Sequence, residues 1–447
     1  MSWSARLLDT RPLRSSHAFR DLWMASTLGS LGQQIAGVAV LAQVWDLTGS
    51  PGWTGAIGIA TAVPILLFGL LGGTLADAAD RRSVLRVTTA GHLLAGAALF
   101  AQAWAGNEHV VALLSLLAVQ AAFGALGAPA RRTIPVRLLP GDQVAAGLAL
   151  QNVAFQASML VGPALAGLVL AQWGFSAAYA IQAVAGTASL AAVVRLPPMP
   201  PIPLMPPGTR PDAAATEGAE GASRPRLRRP ARGGWRVILR RPTLWGAFAT
   251  DVSATVLAMP IALFPLVNEI RFDGDPRTLG LFLSAVAVGG ITAGMFSGAV
   301  TRWRRGGAVQ LTAASVWGLA LAGFGLASPV WLALGCLAVA GAADTISVVT
   351  RGALVQLETP DAYRGRVSSV EHVVGVAGPE LGNFRGGLLA SFTSAPFALV
   401  SGGLMAAFGV AAVAATNRPL RTYRTPAPEL PELPELPELN VRSERTS

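Results

Sequence analysis

Five ionisable residues lie inside long apolar stretches, Asp251, Asp344, Glu371, Glu380 and Arg385, and a sixth, Arg351, stands at the end of one. A charge at the centre of a membrane helix costs roughly 3 kcal/mol on insertion scales, so such residues are kept where they pair, line a watery cavity or carry a proton. Asp344 and Arg351 are two helical turns apart, share a face and could pair. Glu380 follows Pro379 and precedes Arg385 by five residues. That spacing separates them by about 140° on a regular helix, so pairing needs a distortion, a long arginine reach or a partner on another helix. Glu380 is the leading candidate for proton coupling or for meeting a polar substrate, because the matching position in the first half of the chain is Ala164. A structural ion pair between helices is the alternative for each of these charges.

Uncharged polar residues form a second set. Gln33, Gln34, Gln120, Asn152 and Gln156 interrupt apolar stretches of the first half. Their amides can line a cavity and bond a substrate, or tie helices together. His92 reads as a packed histidine. Gly162-Pro163 and Pro379 mark helix kinks, since proline leaves a carbonyl of the preceding turn without its donor.

Other chemistries are excluded by what is missing. All 34 basic residues are arginine, so a phosphate-binding loop of the form G-x-x-x-x-G-K-[ST] cannot exist. The single cysteine, Cys336, rules out a disulfide framework, and no metal-ligand cluster or nucleophile triad is visible. No cofactor, no metal and no enzymatic activity are expected, and any work must draw on an ion or solute gradient.

The elements that position these residues follow from composition. Of 447 residues, 52% are hydrophobic and 13% charged, half the ~25% of soluble domains, and mean hydropathy is +0.51. A soluble fold could not hide that much apolar surface. Twelve stretches reach the roughly 20 residues of a membrane span: 22–45, 52–76, 83–105, 109–130, 144–171, 175–195, 243–267, 279–301, 307–327, 329–350, 366–390 and 394–416. Short alternating segments of a β-barrel are absent. With both termini cytoplasmic, thirty-one arginines fall inside and only Arg271 and Arg277 outside, which sets the orientation. The +10 charge therefore speaks for membrane topology and lipid headgroups, and no nucleic-acid partner is expected.

The expected organisation is an all-α membrane protein of two six-helix bundles, 1–195 and 242–416, joined by a cytoplasmic linker, 196–241. The linker carries ten prolines between Pro197 and Pro230 and turns basic at Arg224–Arg241, so it reads as semi-extended with its basic end on anionic lipid. The tail 417–447, with its repeated Pro-Glu-Leu, reads as disordered. The halves echo each other: Arg131 and Pro140 match Arg351 and Pro360, and Gly162-Pro163 matches Gly378-Pro379. Parallel repeats of this kind suit a transporter that rocks two bundles about a central site.

The loop after the second stretch reads Gly73-Thr-Leu-Ala-Asp77-Ala-Ala-Asp80-Arg81-Arg82-Ser-Val-Leu85. It resembles the major facilitator superfamily signature G-x-L-A-D-x-x-G-R-K/R-x-x-L, departing at Ala78 and Asp80. Phe19-Arg20-Asp21-Leu22-Trp23, Ile134-Pro135, Gly162-Pro163-Ala164-Leu165-Ala166-Gly167 and Thr359-Pro360-Asp361-Ala362-Tyr363-Arg364-Gly365-Arg366 are similar to the enterobactin-exporter branch of that superfamily. Gln120 stands where drug antiporters often carry an arginine, and Ser158 and Ala166 depart from their fifth-span pattern. The resemblance implies a major facilitator fold in a bacterial inner membrane, with Gly73, Asp77, Asp80, Arg81 and Arg82 as a gating loop. It implies a monomer exporting a siderophore, drug or metabolite, with proton coupling. An importer or uniporter of the same fold, or a membrane sensor that kept the fold, is the alternative.

Overall fold

The computed structural model describes residues 9–106, 109–197, 232–296, 303, 305–360 and 363–425. Most of the proline-rich linker and the repeats beyond 425 lie outside them. Among the described residues all regular structure is helical. The first half contains α1 (His17–Thr48), α2 (Pro51–Ala78), α3 (Arg81–Trp104), α4 (Val110–Leu138) and α5 (Val144–Arg195). The second contains α6 (Arg232–Arg240), α7 (Pro242–Ala258), α8 (Phe264–Arg271), α9 (Pro276–Met295), α10 (Gly306–Leu326), α11 (Val330–Glu358), α12 (Arg364–Phe392) and α13 (Ala395–Thr416).

Local chemistry sets the ends of these helices. Side chains of Ser16, Asp80, Asp275 and Ser394 accept backbone N–H bonds of the first turns of α1, α3, α9 and α13. Pro51, Pro242 and Pro276 open α2, α7 and α9, where a missing N–H costs nothing. At Gly174, φ is 72° and ψ −170°, a conformation open to glycine alone, and it bends α5 into arms 144–173 and 175–195. Pro260 stops α7, and a short turn at Ile261–Leu263 leads into α8. The C-terminal carbonyls of α10 are capped by Arg271 of α8, which donates to Ala327 O and Gly325 O, both at 2.7 Å.

Nine helical segments among the described residues are long and apolar enough to cross a membrane. One of them is α5, whose two arms each extend at least about 30 Å. With 32 and 29 residues, α1 and α12 have the length but are more polar. Trp104, Trp331, Phe392 and Phe408 are all more than 70% exposed, a surface that suits lipid and its interface. Inside the second half, Phe264, Phe272, Phe282 and Phe324 pack edge to face with centroids 5.4–5.6 Å apart.

Within the first half α1 lies along α5 and α2 along α4; within the second, α11 packs on α9 and α10, and α13 on α7 and α10. Two seams join the halves, α2 against α12 and α5 against α9. Everything that follows depends on these seams.

Candidate functional site

Each seam is tight at one end only. At the arginine-poor end, a side chain on Gly58 would strike Glu380 O, one on Gly280 would strike Pro163 O, and one on Gly387 would strike Pro51 O. Gly55 is less tight, with 3.1 Å from Asn383 O and Phe384 O to the point where a Cβ would stand. Backbones therefore touch, as small residues permit between membrane helices. Ser284 Oγ adds a bond to Leu160 O at 2.9 Å. Gly69 lies eleven residues beyond Gly58 on nearly the same face of α2, yet among the described residues nothing stands within 4 Å of where its Cβ would be, and the same holds for Gly294 on α9. Met295 and Phe296 are exposed there. The two halves splay apart toward the arginine-rich end.

A polar junction holds the tight end. The turn after α7 is a single 3-10 turn, Ile261–Leu263, outside the α-helices on either side, and two side chains take up the Ala262 backbone. Thr54 of α2 donates to Ala262 O at 2.8 Å, and Ala262 N donates to Asn383 Oδ1 of α12 at 3.2 Å. Asn383 Nδ2 in turn lies 3.4 Å from Glu380 Oε2, while the Thr61 hydroxyl of α2 bonds its own helix at Ile57 O and Gly58 O. Glu380 thus sits at the seam between the halves. Arg385 is not its partner: it donates to Leu257 O at 2.5 Å and contacts Met405 Sδ at 3.8 Å. It serves a carbonyl orphaned where α7 ends.

The other charges meet inside the second half. Arg351 of α11 pairs with Asp251 of α7 and lies 3.8 Å, Nε to Oε1, from Glu371 of α12. Arg351 and Asp251 are 5% and 7% exposed. Arg351 makes these contacts in place of the pairing with Asp344 that their shared face allows, although Asp344 stays within electrostatic reach of both Arg351 and Asp251. Two carboxylates thus contact one guanidinium and a third lies close by, an excess of two negative charges when all are ionised. Glu371 and Glu380 are nine residues apart, on opposite faces of α12. A single helix carries one carboxylate toward the charge cluster and the other toward the seam.

The first half holds amides where the second holds charges. His92 bonds Gln33 Oε1 at 2.8 Å and approaches Gln120 O at 3.3 Å, so the histidine is a hydrogen-bonded node as well as a packed one. Gln120 is 2% exposed and its Nε2 lacks a partner, as do both amide atoms of Gln182, 5% exposed. Gln34 packs on Gly162, Gln156 is half-buried and Asn152 is exposed. Sequence reasoning passed over Gln182 and the buried set of Gln43, Gln102 and Tyr179. There the two amides exchange bonds at 3.1 and 3.2 Å, and Tyr179 donates to Gln43 at 2.8 Å. A glutamine within an apolar run was the available signal.

Of the signature loop, the Asp77 side chain and the surroundings of Gly73 lie outside the described residues. Asp80 caps α3 through Arg82 N at 2.8 Å. Arg82 and Arg86 both donate to Val194 O, at 2.8 and 2.7 Å, tying the loop to the end of α5 where the linker departs. Arg81 lies half-buried beside them.

A helical bundle with this loop and two glycine-lined seams invites comparison with known carriers. Residues 9–445 match the family described as transmembrane secretion effector. The chain belongs to that family, a branch of the major facilitator superfamily. This carrier is a multi-pass transporter of the bacterial inner membrane and not an enzyme. It is 27% identical over 405 residues to the enterobactin exporter EntS of Citrobacter koseri, covering 90% of this chain and 91% of the relative. The enterobactin exporter EntS of Shigella flexneri is 25% identical over 407 residues, with the same coverage. A bacterial homologue of the iron transporter ferroportin in an inward-facing state superposes with a TM-score of 0.63 at 16% identity, covering 89% of the carrier and 98% of that chain. A bacterial homologue of the lysosomal transporter Spinster, inward-facing and unoccupied, gives 0.65 at 15% identity, covering 94% and 100%. These two likenesses speak to fold alone.

Proposed function

We propose that the carrier exports a small, polar organic molecule of the siderophore class from the cytoplasm, exchanging it for protons by alternating access. In this reading the chain crosses the membrane twelve times: the segments long and apolar enough to span, α5 contributing two, are joined by α1 and α12. The bundles are 1–195 and 242–416, the linker 196–241 and both termini are cytoplasmic, and the state described above is open to the cytoplasm. The cavity between the splayed halves would receive substrate from inside, with Gln33, Gln34, Asn152 and Gln156 offering amides to it. Exposed amides at mid-membrane depth are costly against lipid and favourable against a wet cavity.

The observation that carries the proton coupling is the charge imbalance around Arg351. Three carboxylates and one guanidinium cannot all stay ionised at low cost in a membrane interior, so the cluster of Asp251, Asp344 and Glu371 has reason to hold a proton. Glu371 lies on α12, whose opposite face bears Glu380 at the seam, so a change of charge in the cluster can bias how the halves pack. The loop of Asp80, Arg81 and Arg82 would set the rate of that rocking.

Enterobactin transport by the purified carrier in proteoliposomes tests both parts. Wild-type protein should drive enterobactin against its gradient when a pH gradient is imposed. Asp344→Asn with Glu371→Gln should lose that drive and keep exchange between labelled and unlabelled enterobactin. Drive that still follows the pH gradient in this variant removes the cluster from coupling. Wild-type movement in the opposite sense identifies an importer, and no movement at all refutes the substrate class.

A further inference from the structure

Toward the arginine-rich end, the polar wall of the first half also carries one charge. Gln120, Gly124 and Arg131 run along one face of α4, four and then seven residues apart. His92 of α3 meets that face, its Nδ1 3.3 Å from Gln120 O and 4.0 Å from where a Gly124 Cβ would stand. Arg131 lies two turns further on. Helical side chains lean back toward the N-terminus of their own helix, which carries this guanidinium toward His92 and within its electrostatic reach. Arg131 is exposed to solvent although protein surrounds it, the setting of a cavity wall and not of an outer surface. Among the described residues no ion pair or hydrogen bond engages its side chain, and no carboxylate comes within electrostatic reach of it.

The second half shows what an arginine at this place binds. The repeat that pairs Pro140 with Pro360 pairs Arg131 with Arg351, and Arg351 is met by the carboxylates of Asp251 on α7 and Glu371 on α12. The first half keeps the arginine and drops both acids. With Gly162 matched to Gly378, Glu371 falls on Phe155 of α5. The helix that answers to α7 is α1, and its acids stand only near its ends, at Asp21 and Asp46. An enclosed guanidinium without a counter-ion favours any anion that can reach it. Gln33, bound to the same histidine through Oε1 at 2.8 Å, keeps its Nε2 as a second donor.

We infer that Arg131 is the anion-recognising residue of the cavity, taking a carboxylate of the transported molecule with Gln33 Nε2 as a supporting donor. A guanidinium offers two parallel N–H bonds to a pair of anionic oxygens and keeps its charge at every working pH. Selectivity follows from the pairing: a molecule that bears a carboxylate is held at the cytoplasmic mouth, and its neutral amide is held less. This inference rests on the transport reading only in taking the cavity as the route of the cargo, and it does not depend on the proton cluster.

Equilibrium binding to the purified full-length carrier in neutral detergent tests the assignment. The anionic probe is radiolabelled 2,3-dihydroxybenzoate, a catechol that carries a carboxylate, and 2,3-dihydroxybenzamide is its neutral counterpart. Wild type should bind the acid at least about tenfold more tightly than the amide. Arg131→Gln should lose that preference and bind the amide as before, which also reports a folded cavity. Arg131→Lys should keep part of the preference. Arg305→Gln, at an exposed arginine that opens α10 on the same side of the membrane, should match wild type. No saturable binding of the acid to wild type, equal affinity for acid and amide, or a preference that Arg131→Gln retains overturns the assignment. Enterobactin exchange in proteoliposomes is the separate readout: a carrier that prefers the acid through Arg131 yet moves no enterobactin keeps this site and loses the substrate class proposed above.

Discussion

Replacing Gly58 with alanine tests whether the seam between α2 and α12 is held by backbone contact. The new methyl group would overlap Glu380 O, and that carbonyl belongs to a helix, so it cannot swing aside like the end of a flexible side chain. Overpacking of this kind typically costs 1–3 kcal/mol, about 5- to 160-fold in a two-state equilibrium. The cost falls only on the conformation in which the arginine-poor end is closed, so the population should move toward the opposite state. Spin labels at Ser50→Cys and Ser391→Cys, in a Cys336→Ser background, report the separation of the two helices at that end. Gly58→Ala should lengthen the dominant distance in a well-expressed, monodisperse protein. Gly69→Ala provides the control: it adds the same methyl group to nearly the same face of α2, where nothing among the described residues lies within 4 Å, and should leave the distances unchanged. Equal behaviour of the two variants would refute the backbone-contact argument.

Arg351→Ala removes the one guanidinium from among Asp251, Glu371 and Asp344, and breaking a buried pair from one side costs about 3–5 kcal/mol. Its membrane level should fall sharply and recover in part when Asp251→Asn is added, as measured by quantitative blotting. Arg271→Ala strips two 2.7 Å charged bonds from the end of α10 and should lower the thermal midpoint, with a loss of about 1.5–3 kcal/mol. Glu380→Gln keeps the bulk of the seam but not its charge; exchange should persist while gradient-driven efflux falls, and full retention of drive would leave Glu380 a purely structural role. Deleting 205–222 should leave membrane insertion and transport intact, as judged by enterobactin efflux from whole cells; a carrier that inserts but does not transport would show that this segment is more than a linker.

The spans were legible because apolar runs of membrane length announce themselves, and the superfamily followed from the loop at Gly73–Leu85. The seams were not. Fifty glycines look alike in a sequence, and only packing distinguishes Gly58, pressed on a carbonyl, from Gly69, which faces nothing. Asp344 and Arg351 share a face as expected, but two turns of helix separate their backbones by about 10 Å. Asp251 and Glu371 reach Arg351 from neighbouring helices, and such proximity leaves no trace in spacing. The partner of Arg385 was left open for a different reason. The strongest acceptor near it is a carbonyl exposed by the end of α7, and backbone acceptors have no letter in a sequence.

The Ala262 backbone carries an implication for how the carrier moves. Its carbonyl accepts a hydrogen bond from the Thr54 hydroxyl in one half, which also faces Pro51 O, while its amide donates to Asn383 in the other. Parting the halves at this end pulls Thr54 away and leaves a carbonyl that lipid cannot satisfy, because hydrocarbon has no donor to offer. The replacement has to be water. Separation and wetting of this junction are then coupled, and water that reaches a single peptide group lowers the cost of parting the halves.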